Sequence, residues 1–219
     1  MEVLSIKYLI FDLDNTLYSP DSGLLNQIDR NIELFLTQKF QLPPSEITEI
    51  RHQYWINYGT TLEGLIRHHQ ICPEEYFQCT YDVNVGDFLT NDFRLQQMLQ
   101  EIDLPKVIFS NSPKYHVNKV LQELGIGNCF SKVYDIIFCE YQGKPNLTSY
   151  QRVLADLNIT PAECIFVDDT LSNIEGASSL GITSIWINPS DEQQTEWSLT
   201  DIYELPKLIA EILENRKTA

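Results

Sequence analysis

Two aspartates one residue apart, Asp12 and Asp14, close the apolar run Tyr8-Leu9-Ile10-Phe11. In an extended strand, side chains at i and i+2 point to the same side. The spacing therefore delivers two carboxylates to one place, where a strand stops. Unpaired buried charge is expensive, so acids in that position need a partner or a task. A bound metal ion is one reason for them. A nucleophile beside a general acid is another. Other polar clusters follow other apolar runs in the same way. Ser110-Asn111-Ser112 follows Lys106–Phe109, Gly143-Lys144-Pro145 comes after Val133–Phe138, and Asp168-Asp169-Thr170 follows Cys164–Val167, with Asn173 one turn on.

Taken together these groups suit phosphoryl transfer. Asp12 could attack phosphorus and form an aspartyl-phosphate. Asp14 could protonate the leaving oxygen and later activate water. Asp12 and Asp168 could bind Mg²⁺, a hard ion that takes oxygen ligands and few protein carboxylates. Ser110 and Lys144 could hold the phosphoryl oxygens and offset transition-state charge. Lys144 is also needed to balance the clustered Asp12, Asp14, Asp168 and Asp169.

For these residues to meet, the elements carrying them must end side by side. Ile6–Phe11, Lys106–Phe109, Val133–Phe138, Cys164–Val167 and Thr183–Ile187 are short, nearly continuous apolar runs, as strands buried on both faces of a parallel sheet are. Helical periodicity fills the gaps: Ser112–Leu124 before Gly125, Leu147–Leu157 before Asn158, Leu171–Leu180 before Gly181, and a last helix near Ile202–Glu214 with Arg216–Ala219 fraying. The expected class is α/β, a Rossmann-like parallel sheet flanked by helices. In such sheets ligands bind outside the carboxyl ends of the strands.

About seventy residues, Tyr18 to Leu89, carry no strand pattern. Asn26–Phe40 puts Ile28, Ile32, Phe35, Leu36 and Phe40 on one helical face. Pro43-Pro44 opens a second helix through Tyr58, and Thr61–Gln70 and Pro73–Tyr81 read as two more. The expectation is a helical cap, residues 18–89, inserted into an α/β core of residues 1–17 and 90–219. Tyr18–Asp21 and Asn84–Thr90 would be its two connections.

Asp12-x-Asp14-x-Thr16, Ser110, Lys144-Pro145 and Asp168-Asp169, in that order and each at a strand end or the loop after it, resemble the four motifs of the haloacid dehalogenase-like hydrolase superfamily. The resemblance spans nearly the whole chain, and the insert after strand one is similar to that superfamily's first type of cap. It implies Asp12 as nucleophile and Asp14 as acid/base. It implies Mg²⁺ held by Asp12, the Asp14 backbone carbonyl and Asp168, with phosphate contacts from Leu13, Ser110, Asn111 and Lys144. Thr16, Asp169 and Asn173 would support them, Asp169 by holding metal-bound water or Lys144. Asp12-Leu13-Asp14-Asn15-Thr16-Leu17-Tyr18 and Tyr58-Gly59-Thr60-Thr61-Leu62-x-Gly64-Leu65 further resemble the pyrimidine 5′-nucleotidase branch. That branch removes phosphate from nucleoside monophosphates such as UMP and CMP. Leu147 stands where a second proline often follows the Lys-Pro pair, a departure in a loop rather than in a catalytic group. Substrate selection would fall to cap-side residues, with Tyr18, Tyr58, Thr61 and Arg67 as candidates and Trp55, Tyr76 and Tyr81 as mostly core.

Competing chemistries divide on the same residues. A dehalogenase needs Asp12 but no acid at position 14. A phosphomutase, or a phosphatase of sugar or other small phosphates, shares both acids. A receiver-like module would accept phosphate as a signal and would need neither Asp14 nor a cap. His68, His69, Cys72 and Cys79 match no usual tetrahedral zinc spacing and read as a solvated helix end. His116 is expected on a helix face.

Bulk composition narrows the partners. The 219-residue chain has a net charge of −16 and is 43% apolar. So acidic a surface repels nucleic acid and anionic membrane but does not exclude an anionic substrate in a small site dominated by a metal ion and a few cations. The small phosphate ester comes from the motifs, and a nucleoside monophosphate is what the resemblance implies. Five scattered cysteines and no signal-peptide pattern suggest reduced thiols in the cytoplasm.

Overall fold

A computed structural model describes residues 5–187 and 195–218. Its pivot is β1 (Tyr8–Phe11). This strand pairs in parallel with β2 (Lys106–Phe109) on one side and β4 (Cys164–Asp168) on the other. β3 (Lys132–Tyr134) extends the sheet beyond β2. β5 (Thr183–Ile187) and the two-residue β6 (Ser198–Leu199) extend it beyond β4, giving the order 3-2-1-4-5-6, parallel throughout. This is the Rossmann-like sheet expected from the runs, with β1 central.

Helices cover both faces. After β1 come α1 (Leu24–Phe40), α2 (Pro44–Tyr58), α3 (Thr61–His69) and α4 (Pro73–Thr80), then α5 (Phe93–Glu101) leading into β2. α6 (Lys114–Glu123), α7 (Leu147–Leu157) and α8 (Leu171–Ser179) join successive strands, and α9 (Leu205–Thr218) closes the chain. The period of two along the strands decides which helix each face meets. Ile10, Val107, Phe109, Phe166 and Trp186 pack with Tyr150, Val153 and Leu154 of α7 and Ile174 and Ala177 of α8. Leu9, Phe11, Ile108, Ile165, Val167 and Ile185 share the other cluster with Leu95 and Met98 of α5, Val117 and Val120 of α6, and Ile209 of α9. Each such side chain, fully buried, contributes about 1.5–3 kcal/mol of transfer free energy.

The helices between β1 and β2 start and stop at local signals. Pro44 and Pro73 occupy first-turn positions that need no amide donor. Thr60 caps α3 by accepting from the Glu63 amide at 3.1 Å. Ile28, Ile32, Phe35 and Leu36 of α1 are buried as their spacing predicts. α2 differs: only Ile47 is buried, and Trp55 and Ile56 are exposed. Gly59 ends it with φ +82°, and a Cβ there would sit 2.4 Å from the Lys144 carbonyl oxygen. Glycine thus lets the end of α2 press against the loop that carries Lys144.

Several expectations change. The run Val133–Phe138 is a strand only as far as Tyr134. The Asp135 carboxylate accepts from the Phe138 and Lys114 amides, each at 2.9 Å, and turns the chain away. The C-terminal helix does not fray at Arg216. It runs to Thr218, because Arg216 donates to the Ala162 carbonyl at 2.7 Å and to the Thr183 hydroxyl at 2.5 Å; Ala219 lies outside the described residues. α5 and β6 had no counterpart in the reading of the sequence. No helix among the described residues is long and apolar enough to cross a membrane.

Candidate active site

All four polar clusters converge at the carboxyl ends of β1, β2 and β4 and the loop after β3. Asp12 leaves the sheet immediately after β1, with its amide still donating to Val167 at 2.9 Å. The chain then turns. Asn15 adopts φ +61°, and the carbonyl of fully buried Leu13 accepts from the Thr16 and Leu17 amides. This turn brings the Thr16 hydroxyl back to Asp12 Oδ2 at 3.1 Å and to within 3.5 Å of Asp169.

Lys144 is the hub. Its Nζ donates to Asp12 Oδ1 at 2.6 Å, Asp168 Oδ2 at 2.8 Å and the Phe109 carbonyl at 2.8 Å, and the residue is 1% exposed. The rings of Phe109 and Phe166 lie 5.2 and 5.4 Å away. Burial pulls the ammonium's pKa down, but Asp12 and Asp168 outweigh it and raise it, so the lysine stays charged. Asn111 lines the cleft, and its side chain braces this lysine: it accepts from the Lys144 amide at 2.8 Å and donates to the Lys144 carbonyl at 3.0 Å. Ser110 is buried, and its hydroxyl accepts from the Ser112 amide at 3.0 Å. Asp168 is fully buried, accepting also from the Thr170 amide at 2.8 Å and the Asn173 side-chain amide at 3.0 Å.

The acids differ in environment. Burial raises the Asp12 carboxyl well above the usual carboxylate range; Lys144 opposes this, while Asp168, Asp169 and Asp14 add to it. Asp169 is pushed up to about 6 by burial and by Asp168. Asp14 goes the other way. Burial would raise it, but the His116 ring and the hydroxyls of Ser112 and Tyr18 bring it below the ordinary value. Tyr18 donates to Asp14 Oδ1 at 2.5 Å and Ser112 to Oδ2 at 2.6 Å. Carboxylate oxygens of Asp12, Asp168 and Asp169 lie within 4.8 Å of one another. Three carboxylates that close, with one lysine among them, are a donor set for a hard divalent cation. Asp169, expected in support, thus joins the candidate ligands.

A cleft of about 490 Å³ lies above these groups, walled by α2 and α4. Thr61 lines it. Tyr58 and Arg67 are not among its lining residues: Tyr58 bonds His68 at 2.6 Å, and Arg67 pairs with Glu63 at 2.7 Å. His68 pairs with Tyr58, and His69 with Tyr54 at 2.7 Å.

Three residues beside Asp14 received no role at the site from the sequence, where His116 read as a helix-face residue and Tyr81 as mostly core. Ser112 anchors its carboxylate. Tyr81 lies 3.3 Å from the Ser112 hydroxyl. His116, on the buried face of α6, is fully buried with Nε2 3.7 Å from Asp14 Oδ1, and neither ring nitrogen has a hydrogen-bond partner among the described residues. A signal existed for two of them in their nearness to the Ser110 cluster, because Ser112 lies just before α6 and His116 in its first turn. Tyr81 lies thirty-one positions from Ser112 and carries no such signal.

The fold and this site define a hydrolase of the haloacid dehalogenase-like type. Residues 6–181 match the family model for haloacid dehalogenase-like hydrolases, and the chain belongs to that family. Phosphate metabolism protein 8 of Saccharomyces cerevisiae is 25% identical over 194 residues, covering 80% of this chain; the chain spans 60% of that relative's length. Phosphoglycolate phosphatase of Pectobacterium atrosepticum is 29% identical over 201 residues, 84% of this chain and 81% of the relative. The magnesium-bound HAD-hydrolase YfnB of Bacillus subtilis shares the fold with a TM-score of 0.63 at 16% identity, over 96% of this chain and 99% of that one.

Proposed function

We propose that the protein is a Mg²⁺-dependent phosphatase of small phosphate monoesters, and within that class a pyrimidine 5′-nucleotidase. The observation that carries the reaction type is the unequal treatment of two neighbouring acids. Asp12 is oriented by Lys144 and Thr16, as a nucleophile must be. Asp14 is held apart from that lysine by two hydroxyls. A dehalogenase would have no use for Asp14, and here the two carboxyls have separate partners, a lysine and a hydroxyl for Asp12 and two hydroxyls for Asp14.

An Asp12 oxygen forms a bond to phosphorus as the bond to the leaving oxygen breaks, and Asp14 supplies the proton that oxygen needs. Water then attacks the aspartyl-phosphate and gives its proton to Asp14. Phosphate leaves, and the Asp12 carboxylate is restored. Lys144, with Ser110 and the amides around Leu13, offsets charge on the phosphoryl oxygens. Asp12, Asp168 and the Asp14 carbonyl, with Asp169, would hold Mg²⁺, which when bound supplies charge neutralisation of the phosphoryl group. Residues 18–89 serve as the cap over a core of residues 1–17 and 90–219. The phosphatase named among the relatives supports the reaction class, and five free cysteines fit a cytoplasmic setting.

A phosphate-release screen over nucleoside monophosphates, sugar phosphates and other small esters tests the reading. Release fastest from UMP and CMP is expected. A flat profile would remove the nucleotidase assignment and keep the phosphatase; no release from any ester, with Mg²⁺ present, would overturn both.

A further inference from the structure

A second chamber, about 270 Å³, opens beside the catalytic cleft between α2 and the start of α8. Trp55, Gly59, Asn111, Thr170 and Asn173 line both spaces, so the two adjoin. None of the chamber's lining residues is charged, in a chain where 21% of residues are. Trp55 and Ile56 give it one apolar wall, Pro145 the other, and Thr170 and Ser172 supply hydroxyls.

Charge in the neighbouring cleft is paired, apart from Arg51 Nε, which has no hydrogen-bond partner among the described residues. Its two Lys or Arg side chains are Lys144, bound to Asp12 and Asp168, and Arg51, paired with Asp29 and with Glu33 at 2.9 Å. A second anion on a substrate would therefore meet paired cations and nearby carboxylates. The aromatic residues divide in a similar way. Tyr58 is tied to His68, Tyr81 reaches Ser112, and Tyr76 is 4% exposed. Trp55 is 51% exposed, at the boundary of the two spaces. An exposed indole facing a cavity offers a large flat surface at little cost in side-chain ordering.

We propose that this chamber is the leaving-group subsite, that it takes an uncharged leaving group with a flat apolar face, and that Trp55 is its specificity-determining residue. The assignment rests on the phosphatase reading above and adds to it a charge rule and a named contact. It separates this chain from an enzyme for 2-phosphoglycolate, whose leaving group carries a carboxylate.

The test compares UMP, ribose 5-phosphate and 2-phosphoglycolate with the wild type, Trp55→Ala and Trp55→Phe. UMP and ribose 5-phosphate leave through the same kind of primary alkoxide, so their ratio reads the flat face. In Trp55→Ala the ratio of kcat/KM for UMP over ribose 5-phosphate should fall about tenfold, through KM. Trp55→Phe should keep most of that ratio, and 2-phosphoglycolate should be the poorest ester for the wild type. Calorimetric titration with uridine, without turnover, should show weaker binding to Trp55→Ala. Equal losses for both esters, 2-phosphoglycolate outperforming ribose 5-phosphate, or unchanged uridine binding would each overturn the proposal. A protein that hydrolyses no ester would sink the phosphatase reading, while the uridine titration still decides on the subsite.

Discussion

The floor of the cleft and its α2 wall are built on opposite terms. On the floor, Lys144, Asp12, Asp168 and Asp14 are buried or nearly so and bonded on several sides, with Lys144 alone making three contacts of 2.6–2.8 Å. Along the wall, α2 buries a single residue, Ile47, and leaves Trp55 and Ile56 in contact with solvent. A buried charge tolerates no change of partner, whereas an exposed apolar side chain can be exchanged at small cost. The contrast teaches that the clustered acids are held by a densely bonded electrostatic network, whereas the exposed face of α2 can vary without unfolding the protein.

Substitutions can break that contrast, and the largest effect belongs to the floor. Asp12→Asn should reduce phosphate release by more than about 10⁴-fold, because the nucleophile itself is lost, with the circular-dichroism spectrum unchanged. Appreciable residual turnover would mean that Asp12 is not the nucleophile. Lys144→Met should leave Asp12 and Asp168 facing each other without a cation and cost about 3–5 kcal/mol of stability. In thermal unfolding of the metal-free protein this is a fall of about 6–20 °C for a chain of this size. Should Tm stay within a degree of wild type, the hub role of Lys144 would be wrong.

Asp14→Asn should lower kcat about 10²–10³-fold, most strongly for esters with poor leaving groups, as a series of substituted phenyl phosphates would reveal. Equal losses across the series would remove the acid role. Metal binding should depend on pH. With its carboxyl raised to about 6, Asp169 is protonated below that pH in the metal-free protein and must lose its proton to become a ligand. Mg²⁺ affinity should therefore weaken as pH falls through about 6, with proton release on binding, readable by calorimetry in two buffers of different ionisation heat. Affinity flat from pH 7 to 5 would exclude Asp169 from the ligand set. On the wall, Ile56→Ser should change stability by no more than about 0.5 kcal/mol. A larger loss in denaturant unfolding would show the wall to be as constrained as the floor.

Much of the floor was readable in advance because it is written in short, local patterns. Asp12-x-Asp14 follows directly on the apolar run of β1, although a turn rather than strand alternation sets the direction of Asp14, and Asp168-x-x-x-x-Asn173 marks a strand end passing into a helix. Asn111 shows where such reading stops. Its side-chain amide spans thirty-three residues to hold the Lys144 backbone on both sides, a contact that no local pattern announces. The third strand was overextended because Ile136-Ile137-Phe138 is apolar enough for a strand, while the Asp135 carboxylate, bonded to two amides, decides otherwise. α5 passed unnoticed between α4 and β2, although its Leu95 and Met98 are core residues.

By itself the sequence determined the α/β class, the parallel character of the sheet and the placing of the acids at strand ends, since continuous apolar runs and strand-end polarity are properties of neighbouring residues. Only the tertiary structure decided how the charges pair. Lys144 lies 132 positions from Asp12, and Ser112 and His116 reach Asp14 from another strand end and helix. It also decided that Trp55, rather than Tyr58 or Arg67, borders the cleft. Such choices depend on which surfaces meet once the chain has closed on itself, and that information is spread over the whole sequence rather than carried by any segment of it.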